Sequence, residues 1–302
     1  MWARSRSRSL EPLLAVLLAV GAAAPGLAQT PGCGITAVLD RTPPAFLYDP
    51  FDALPPVERT DLSLVMAEAA EALVTFETEA GIPLPVELEN TGVTLSINAE
   101  QVGRWSATSP GTVAVDLTAE QPRTISVDFL LDNVAIAPPG TYRQRVFVRV
   151  QNRTTGVVCA DRPAFDVVMD VPPRAQMNIA GADGDFNRSL RVASVDFGSL
   201  AEGVSRQVFL QIRTNSPVNL NIQSQNNGAL VLQSAGGLEG RVPYEATLAS
   251  TPLELSGGWS TSLPAAATFA GRSLPLVFRI GPVPPVPSGA YSDLLTITVT
   301  AF

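Results

Sequence analysis

Thr124-Ile-Ser-Val-Asp-Phe-Leu-Leu-Asp-Asn-Val134, followed by Pro138-Pro-Gly-Thr-Tyr-Arg-Gln-Arg-Val-Phe-Val-Arg-Val150, returns 149 residues later. The second copy reads Ser273-Leu-Pro-Leu-Val-Phe-Arg-Ile-Gly-Pro-Val283, then Pro287-Ser-Gly-Ala-Tyr-Ser-Asp-Leu-Leu-Thr-Ile-Thr-Val299. Phe129 aligns with Phe278, Val134 with Val283, Gly140 with Gly289 and Tyr142 with Tyr291. Each copy reads as a strand, a proline-rich turn, Gly-x-Tyr and an alternating strand. In that last strand Val146, Val148 and Val150 alternate with Arg145, Phe147 and Arg149. In the second copy Leu295, Ile297 and Val299 alternate with Thr296, Thr298 and Thr300. A period of two carried by β-branched residues gives a half-buried antiparallel strand. A repeat this long, present twice, reads as two homologous domains rather than a solenoid. A looser match pairs Val74-Thr-Phe76 and Pro83 with Val208-Phe-Leu210 and Pro217, at an offset of 134. It implies a 15-residue insertion in the second copy (149 less 134).

Working outward, short strands punctuated by Gly and Pro predict an all-β fold of two tandem immunoglobulin-like sandwiches. The one helix-like stretch, Met66 to Leu73, reads as a short loop or a single helical turn. The two copies end differently. The first runs on through Cys159 to Ala164-Phe-Asp-Val-Val-Met-Asp-Val171, where Phe165, Val167, Met169 and Val171 share one face. That is a further strand, able to serve as the last one, G. The second stops at Phe302, which aligns with Arg153. The C-terminal sandwich is therefore expected to lack strand G and to leave a groove along Gly289, Tyr291, Leu295, Ile297, Val299 and Phe302. An unpaired apolar edge is an aggregation hazard unless it is filled. A strand from another chain could fill it by main-chain pairing, with alternate side chains in pockets. The competing expectation is that Ala175 to Ile179 covers the gap.

Arg4, Arg6 and Arg8 precede an apolar run from Leu13 to Ala24, and Gly26-Leu27-Ala28 supplies small residues for cleavage. Residues 1–28 are read as a signal peptide, too short to span a bilayer. The domains are then expected at 29–171 and 172–302. The chain has no histidine and carries a net charge of −8. Such a chain argues against nucleic acid or anionic lipid as partner. Without histidine or lysine the usual activation of a serine nucleophile is missing. The chain is expected to be no enzyme and to hold no cofactor. Paired carboxylates at Glu77 and Glu79, or Glu68 and Glu71, are expected on turns or solvated faces. Two cysteines, Cys33 and Cys159, make no zinc site, and in an oxidising compartment they are expected to form a disulfide. Asp183-Gly-Asp185-Phe-Asn187 starts like a calcium loop but has Ser194 where the closing glutamate belongs, so no metal is expected.

Gly289-Ala-Tyr291-Ser-Asp293-Leu-Leu295-Thr-Ile297-Thr-Val299 resembles the closing strand of spore coat protein U-type domains, subunits of archaic chaperone–usher pili. Asp196-Phe-Gly198 with Gly203, Val242-Pro-Tyr244 with Leu248, Cys33, and Tyr48-Asp-Pro-Phe51 are similar to that family's other signatures. The likeness is good over 190–302 and weaker over 33–170. It implies a periplasmic pilus chaperone, an outer-membrane usher and an adjacent subunit that donates its N-terminal strand. It also implies that the chaperone clamps the carboxylate of Phe302, export through the inner membrane, and display on a cell-surface fimbrium. The chain departs from the family in having no cysteine pair in its second domain and Phe302 where tyrosine is common.

After cleavage only Gln29 to Gly32 would precede Cys33, so the chain could accept a strand but not give one. That points to a two-domain tip adhesin acting in attachment or biofilm formation on an abiotic or host surface. Candidate adhesive loops centre on Ile82, Leu84, Trp105 and Ile136, because exposed apolar turns mark contact sites. The alternatives are an envelope or spore/cyst coat component using the same strand exchange, and a self-contained periplasmic glycan-binding module.

Overall fold

The computed structural model describes residues 32–39, 44–98, 105–132, 134–187, 194–233 and 239–302. The signal peptide read at 1–28 lies outside the described residues.

Among the described residues every regular element is a strand. The first eleven are β1 (Ile35–Leu39), β2 (Ala45–Leu47), β3 (Val57–Met66), β4 (Ala70–Glu77), β5 (Val86–Glu87), β6 (Thr94–Asn98), β7 (Trp105–Ser109), β8 (Thr112–Leu117), β9 (Arg123–Leu131), β10 (Gly140–Asn152) and β11 (Ala164–Val171). They form two sheets, ordered β1-β3-β9-β6-β5 and β2-β11-β10-β4-β8-β7. The next ten are β12 (Ala175–Ala180), β13 (Ser205–Thr214), β14 (Val218–Ser224), β15 (Ala229–Leu232), β16 (Arg241–Leu248), β17 (Thr251–Pro252), β18 (Trp259–Leu263), β19 (Arg272–Ile280), β20 (Tyr291–Ser292) and β21 (Leu295–Ala301). Their sheets run β12-β13-β19-β16-β15-β20, with β17 on β16, and β18-β14-β21.

Each pair of sheets closes over its own apolar core, giving tandem immunoglobulin-like sandwiches. In the first, Phe129 sits edge-on to Phe76 at 5.7 Å and to Phe165 at 5.5 Å between ring centroids. That arrangement suits the ring quadrupoles as well as burying area. The second core is aliphatic, built on Leu210, Leu220, Ile222, Val242, Leu276 and Ile280.

The repeat is legible in the ladders. β9 and β19 match end to end at the 149-residue spacing. Leu62 faces Ile125 across β3 and β9, and Leu210 faces Leu274 across β13 and β19. Val74 faces Val150 in the first sandwich, whereas Leu220 faces Val299 in the second. The counterpart of Val74 is thus Leu220, not Val208, and the expected 15-residue insertion does not exist. Val-x-aromatic and Val-x-aliphatic triplets occur on any buried strand, so the short match slipped by one strand. In the Met66–Leu73 stretch the expected short loop is confined to 67–69, with strand on both sides and no helical turn. Met66 ends β3, a bend covers 67–69, and Ala70 already pairs with Leu117. Ala72 and Val74 are fully buried, and that burial overrides the helical preference of alanine and glutamate.

The cysteines form the expected disulfide, joining Cys33 to Cys159. Asn152 Nδ2 also donates to the Cys33 carbonyl at 3.1 Å. Between the sandwiches, buried Asn215 gathers the connecting segment. Its Nδ2 donates to the carbonyls of Ala137 and Pro172, and its Oδ1 accepts from Arg174 N at 2.7 Å. Arg213 lies 4.8 Å from the Phe51 ring and 4.5 Å from the Phe186 ring. Arg174 pairs with Asp49 at 3.0 Å. The Asp183–Asn187 stretch packs against β12 and β13, where Gln211 Nε2 donates to the Gly184 carbonyl and Asn178 Nδ2 to that of Asn187.

Candidate functional site: the open edge of the last strand

The two equivalent strands, β10 and β21, live in different surroundings. β10 is paired on both sides, with β4 and with β11. β21 pairs with β14, and among the described residues no strand lies along its other edge. β12 does not pair with it: Ile179 pairs with Leu210 of β13 in the opposite sheet, although β12 passes near β21 and Ile179 lines the same cavity. The consequence is measurable in the side chains. Val146 and Val148 of β10 are 0% exposed. Leu295, Ile297 and Val299 face the second core in the same way but are only partly buried.

Beside that edge lies a cavity of about 480 Å³. β21 and the turn before it supply Gly289, Tyr291, Leu295 and Ile297; the opposite wall is the segment carrying Val195, Phe197 and Leu200. Leu276 and Phe278 of β19 and Tyr244 of β16 also line it. Four of the six residues read from sequence as groove therefore line the cavity. Val299 packs on the same core beyond it. Phe302 is 57% exposed and holds the chain end through its N–H on the Pro217 carbonyl at 3.2 Å. Leu294, at the other end of β21, is also exposed.

The far wall was not read as groove from sequence. Phe197 stands inside Asp196-Phe-Gly198, a motif noticed only as a family signature. Its partners in the wall, Val195 and Leu200, lie in the same segment, which is not a strand and carries no alternation to mark it. The anchor residue was missed as well. Asp293 Oδ2 accepts from Tyr244 Oη at 2.5 Å and from Ser224 Oγ at 2.6 Å, while Oδ1 accepts from Asn226 N at 2.9 Å. These bonds tie the turn before β21 to β14 and β16. Burial, and then the bond to the Asp293 carboxylate, push the Tyr244 phenol well above its ordinary range, so it stays a neutral donor.

The residues read as adhesive loops are not alike. Ile82 is 57% exposed on a tight turn, and Ile136 is half-buried. Leu84 is a correction: it is 1% exposed and belongs to the first core. Its N–H donates to the Phe76 carbonyl at 2.9 Å, and its backbone packs so closely on Gly111 that a Cβ there would come within 2.4 Å of the Leu84 carbonyl oxygen. Gly111 also has φ +72, a conformation that favours glycine. Trp105 opens strand β7, facing Val115 of β8, rather than occupying a turn.

No family model and no curated protein matches the chain. Solved structures do. One is a chain of the CsuC–CsuE chaperone–tip subunit pre-assembly complex from archaic chaperone–usher Csu pili of Acinetobacter baumannii. It is 12% identical, with a TM-score of 0.44, over 87% of this chain and 99% of that one. The CupB6 tip adhesin from Pseudomonas aeruginosa is 12% identical, with a TM-score of 0.37, over 88% and 92%. CfaE, the adhesive subunit of the CFA/I fimbria of enterotoxigenic Escherichia coli, is 11% identical, with a TM-score of 0.34, over 90% and 79%.

Proposed function

We propose that this chain is a tip adhesin of a chaperone–usher surface fibre, and that its C-terminal sandwich accepts a strand from another polypeptide along the open edge of β21. One observation carries the reading: the same strand of the repeat is fully buried between two partners in the first sandwich and only partly buried beside one partner in the second. A donor strand with alternating apolar side chains would pair with the free main-chain groups of β21 and complete the cover over Leu295, Ile297 and Val299. Fully burying such a side chain stabilises by roughly 1.5–3 kcal/mol, so side chains already partly buried gain at most about a third of that each. The exposed Leu294 and Phe302 at either end of β21 extend the apolar rim.

In this reading residues 1–28 are removed on export, 29–171 form the binding domain and 172–302 the strand-accepting domain. A periplasmic chaperone fills the groove in transit, and at an outer-membrane usher the neighbouring subunit's N-terminal strand replaces it. The tip position is supported from the N-terminal side, where Cys33 is held by its disulfide and β1 is already paired to β3. Neither is free to serve as a donor.

The test is to titrate the mature chain with alternating apolar peptides of about ten residues, following anisotropy of a labelled peptide and thermal stability together. Saturable binding that raises the unfolding temperature of the second sandwich, and that Ile297→Asp abolishes, supports the reading. A stable monomer that ignores every such peptide and is recovered equally well without a chaperone sinks it.

A further inference from the structure

On the first sandwich, away from the groove, a hollow of about 450 Å³ lies between the turn after β4 and the loop after β10. Its lining includes Glu77, Glu79, Gly81, Arg149, Val158 and Arg162. Glu77 has a side chain only 5% exposed, yet it holds both arginines. Arg149 Nε donates to its Oε2 at 3.0 Å and Arg162 Nη2 to its Oε1 at 2.6 Å. Arg162 also donates to the Thr78 carbonyl at 3.1 Å and lies 4.5 Å from the Phe147 ring centroid. Both guanidinium groups are thus fixed in place while about a third of each side chain stays exposed, 37% for Arg149 and 35% for Arg162.

The two loops are held as firmly. Gly81 N donates to the Thr78 carbonyl and Thr78 N to that of Ile82, both at 2.9 Å. The other loop is tethered by the Cys33–Cys159 disulfide, by Cys159 N on the Val150 carbonyl and by Val148 N on that of Pro163. A buried carboxylate is costly and is retained only where its partners are well placed. Here its effect is to orient two donor forks toward a hollow whose rim carries an exposed carboxylate, Glu79, and an exposed apolar side chain, Val158.

We propose that this hollow binds a neutral sugar residue of a glycan, with Arg149 and Arg162 donating to ring hydroxyls, Glu79 accepting from them and Val158 meeting an apolar ring face. The charge count selects the class. Two arginines against Glu77 and Glu79 leave no net charge, which disfavours a carboxylate or sulfate, while paired donors and acceptors suit hydroxyl groups that are both at once. The inference rests on the reading of the first sandwich as the binding half of an adhesin and names its ligand class.

The experiment is saturation-transfer NMR on the mature chain with methyl glycosides of common hexoses, deoxyhexoses and N-acetylhexosamines, alongside methyl glucuronide. At least one neutral glycoside is expected to bind, and Arg162→Met and Glu79→Gln each to weaken it by about tenfold or more, the loss of one charge-assisted hydrogen bond. Glu79 is exposed, so Glu79→Gln keeps the test alive if the arginine variant folds poorly. Failure of every neutral glycoside, binding of glucuronide alone, or undiminished binding by Glu79→Gln overturns the proposal. Glu79→Gln should bind a donor peptide as the native chain does, so failure here leaves the groove reading standing.

Discussion

Tyr142 and Tyr291 make the same hydrogen bond 149 residues apart: each phenol donates to the carbonyl of the proline four residues before it. The distances are 2.9 Å to Pro138 and 2.6 Å to Pro287. The bond closes the proline-rich turn in each copy. With the turn so fixed, β10 and β21 present the same alternation to their cores. The difference between them then lies in what flanks them, which is what the first prediction isolates.

Val148 and Ile297 occupy matching positions, one fully buried and one only partly buried. Val148→Ala is expected to destabilise the first sandwich by about 2 kcal/mol, while Ile297→Ala costs the isolated second sandwich less than about 1 kcal/mol. With a donor peptide bound, the Ile297→Ala penalty should grow toward the Val148 value. Urea denaturation with and without peptide measures both. Equal penalties in the absence of peptide would show that the edge of β21 is already covered.

The Asn215 side chain makes two hydrogen bonds to the segment joining the sandwiches, at Pro172 and Arg174, and one to Ala137 of the first sandwich. Asn215→Ala strands two carbonyls and one N–H, at a cost of about 1–3 kcal/mol. Local opening of that segment should rise accordingly, and hydrogen exchange at the Arg174 amide should accelerate by roughly tenfold or more. Unchanged exchange there would mean that Arg213 and the Arg174–Asp49 pair hold the junction without it.

The Cys33–Cys159 bond spans 126 residues of chain. In the chain-entropy view a loop of that length contributes about 4–5 kcal/mol. Replacing both cysteines by serine should lower the unfolding midpoint of the first sandwich and leave that of the second in place. Calorimetry of the oxidised, reduced and double-serine chains gives the comparison. A fall of both midpoints together would show the two cores to be one cooperative unit.

Alkali should destabilise the chain through its phenols. Burial, then the carboxylates of Asp132 and Asp49, push Tyr48 up to about 12, and Tyr244 is raised as well. A raised folded pKa favours the neutral phenol in the native state. Its contribution is complete below the unfolded value of about 10 and is lost as pH climbs through the folded one. Stability measured by urea at successive pH values should therefore decline between about pH 10 and 12. Tyr48→Phe, which loses the 2.7 Å bond to the Ala135 carbonyl, should be weaker at neutral pH and show a shallower alkaline slope. An unchanged slope would assign the decline to other groups.

The fold was legible because its two defining strands carry undiluted period-two patterns and because Phe129, Gly140 and Tyr142 recur at one spacing. The open edge was legible for the related reason that Ala164–Val171 has no second copy in the sequence read. What failed was whatever depends on which strand neighbours which. Val74 was matched to Val208 because a three-residue apolar pattern fits any interior strand. Leu84 looked like an exposed loop because proline flanks it on both sides, yet the turn folds it inward beneath Gly111. Phe197 and Asp293 carry no periodic signal, and their roles arise from contacts across large sequence separations.

Asn215 stands three residues before β14, and β14 is zipped to β21 over seven residue pairs, from Val218 with Ala301 to Ser224 with Leu295. A tensile load applied to a strand seated on β21 would thus run in shear along that ladder, straining its hydrogen bonds together rather than peeling them singly. It would emerge beside Asn215, where the side-chain amide passes it to Pro172 and Ala137. On the proposed reading the molecule would act as a coupling, with the anchorage for an incoming strand and the clasp between the two sandwiches at the two ends of one path.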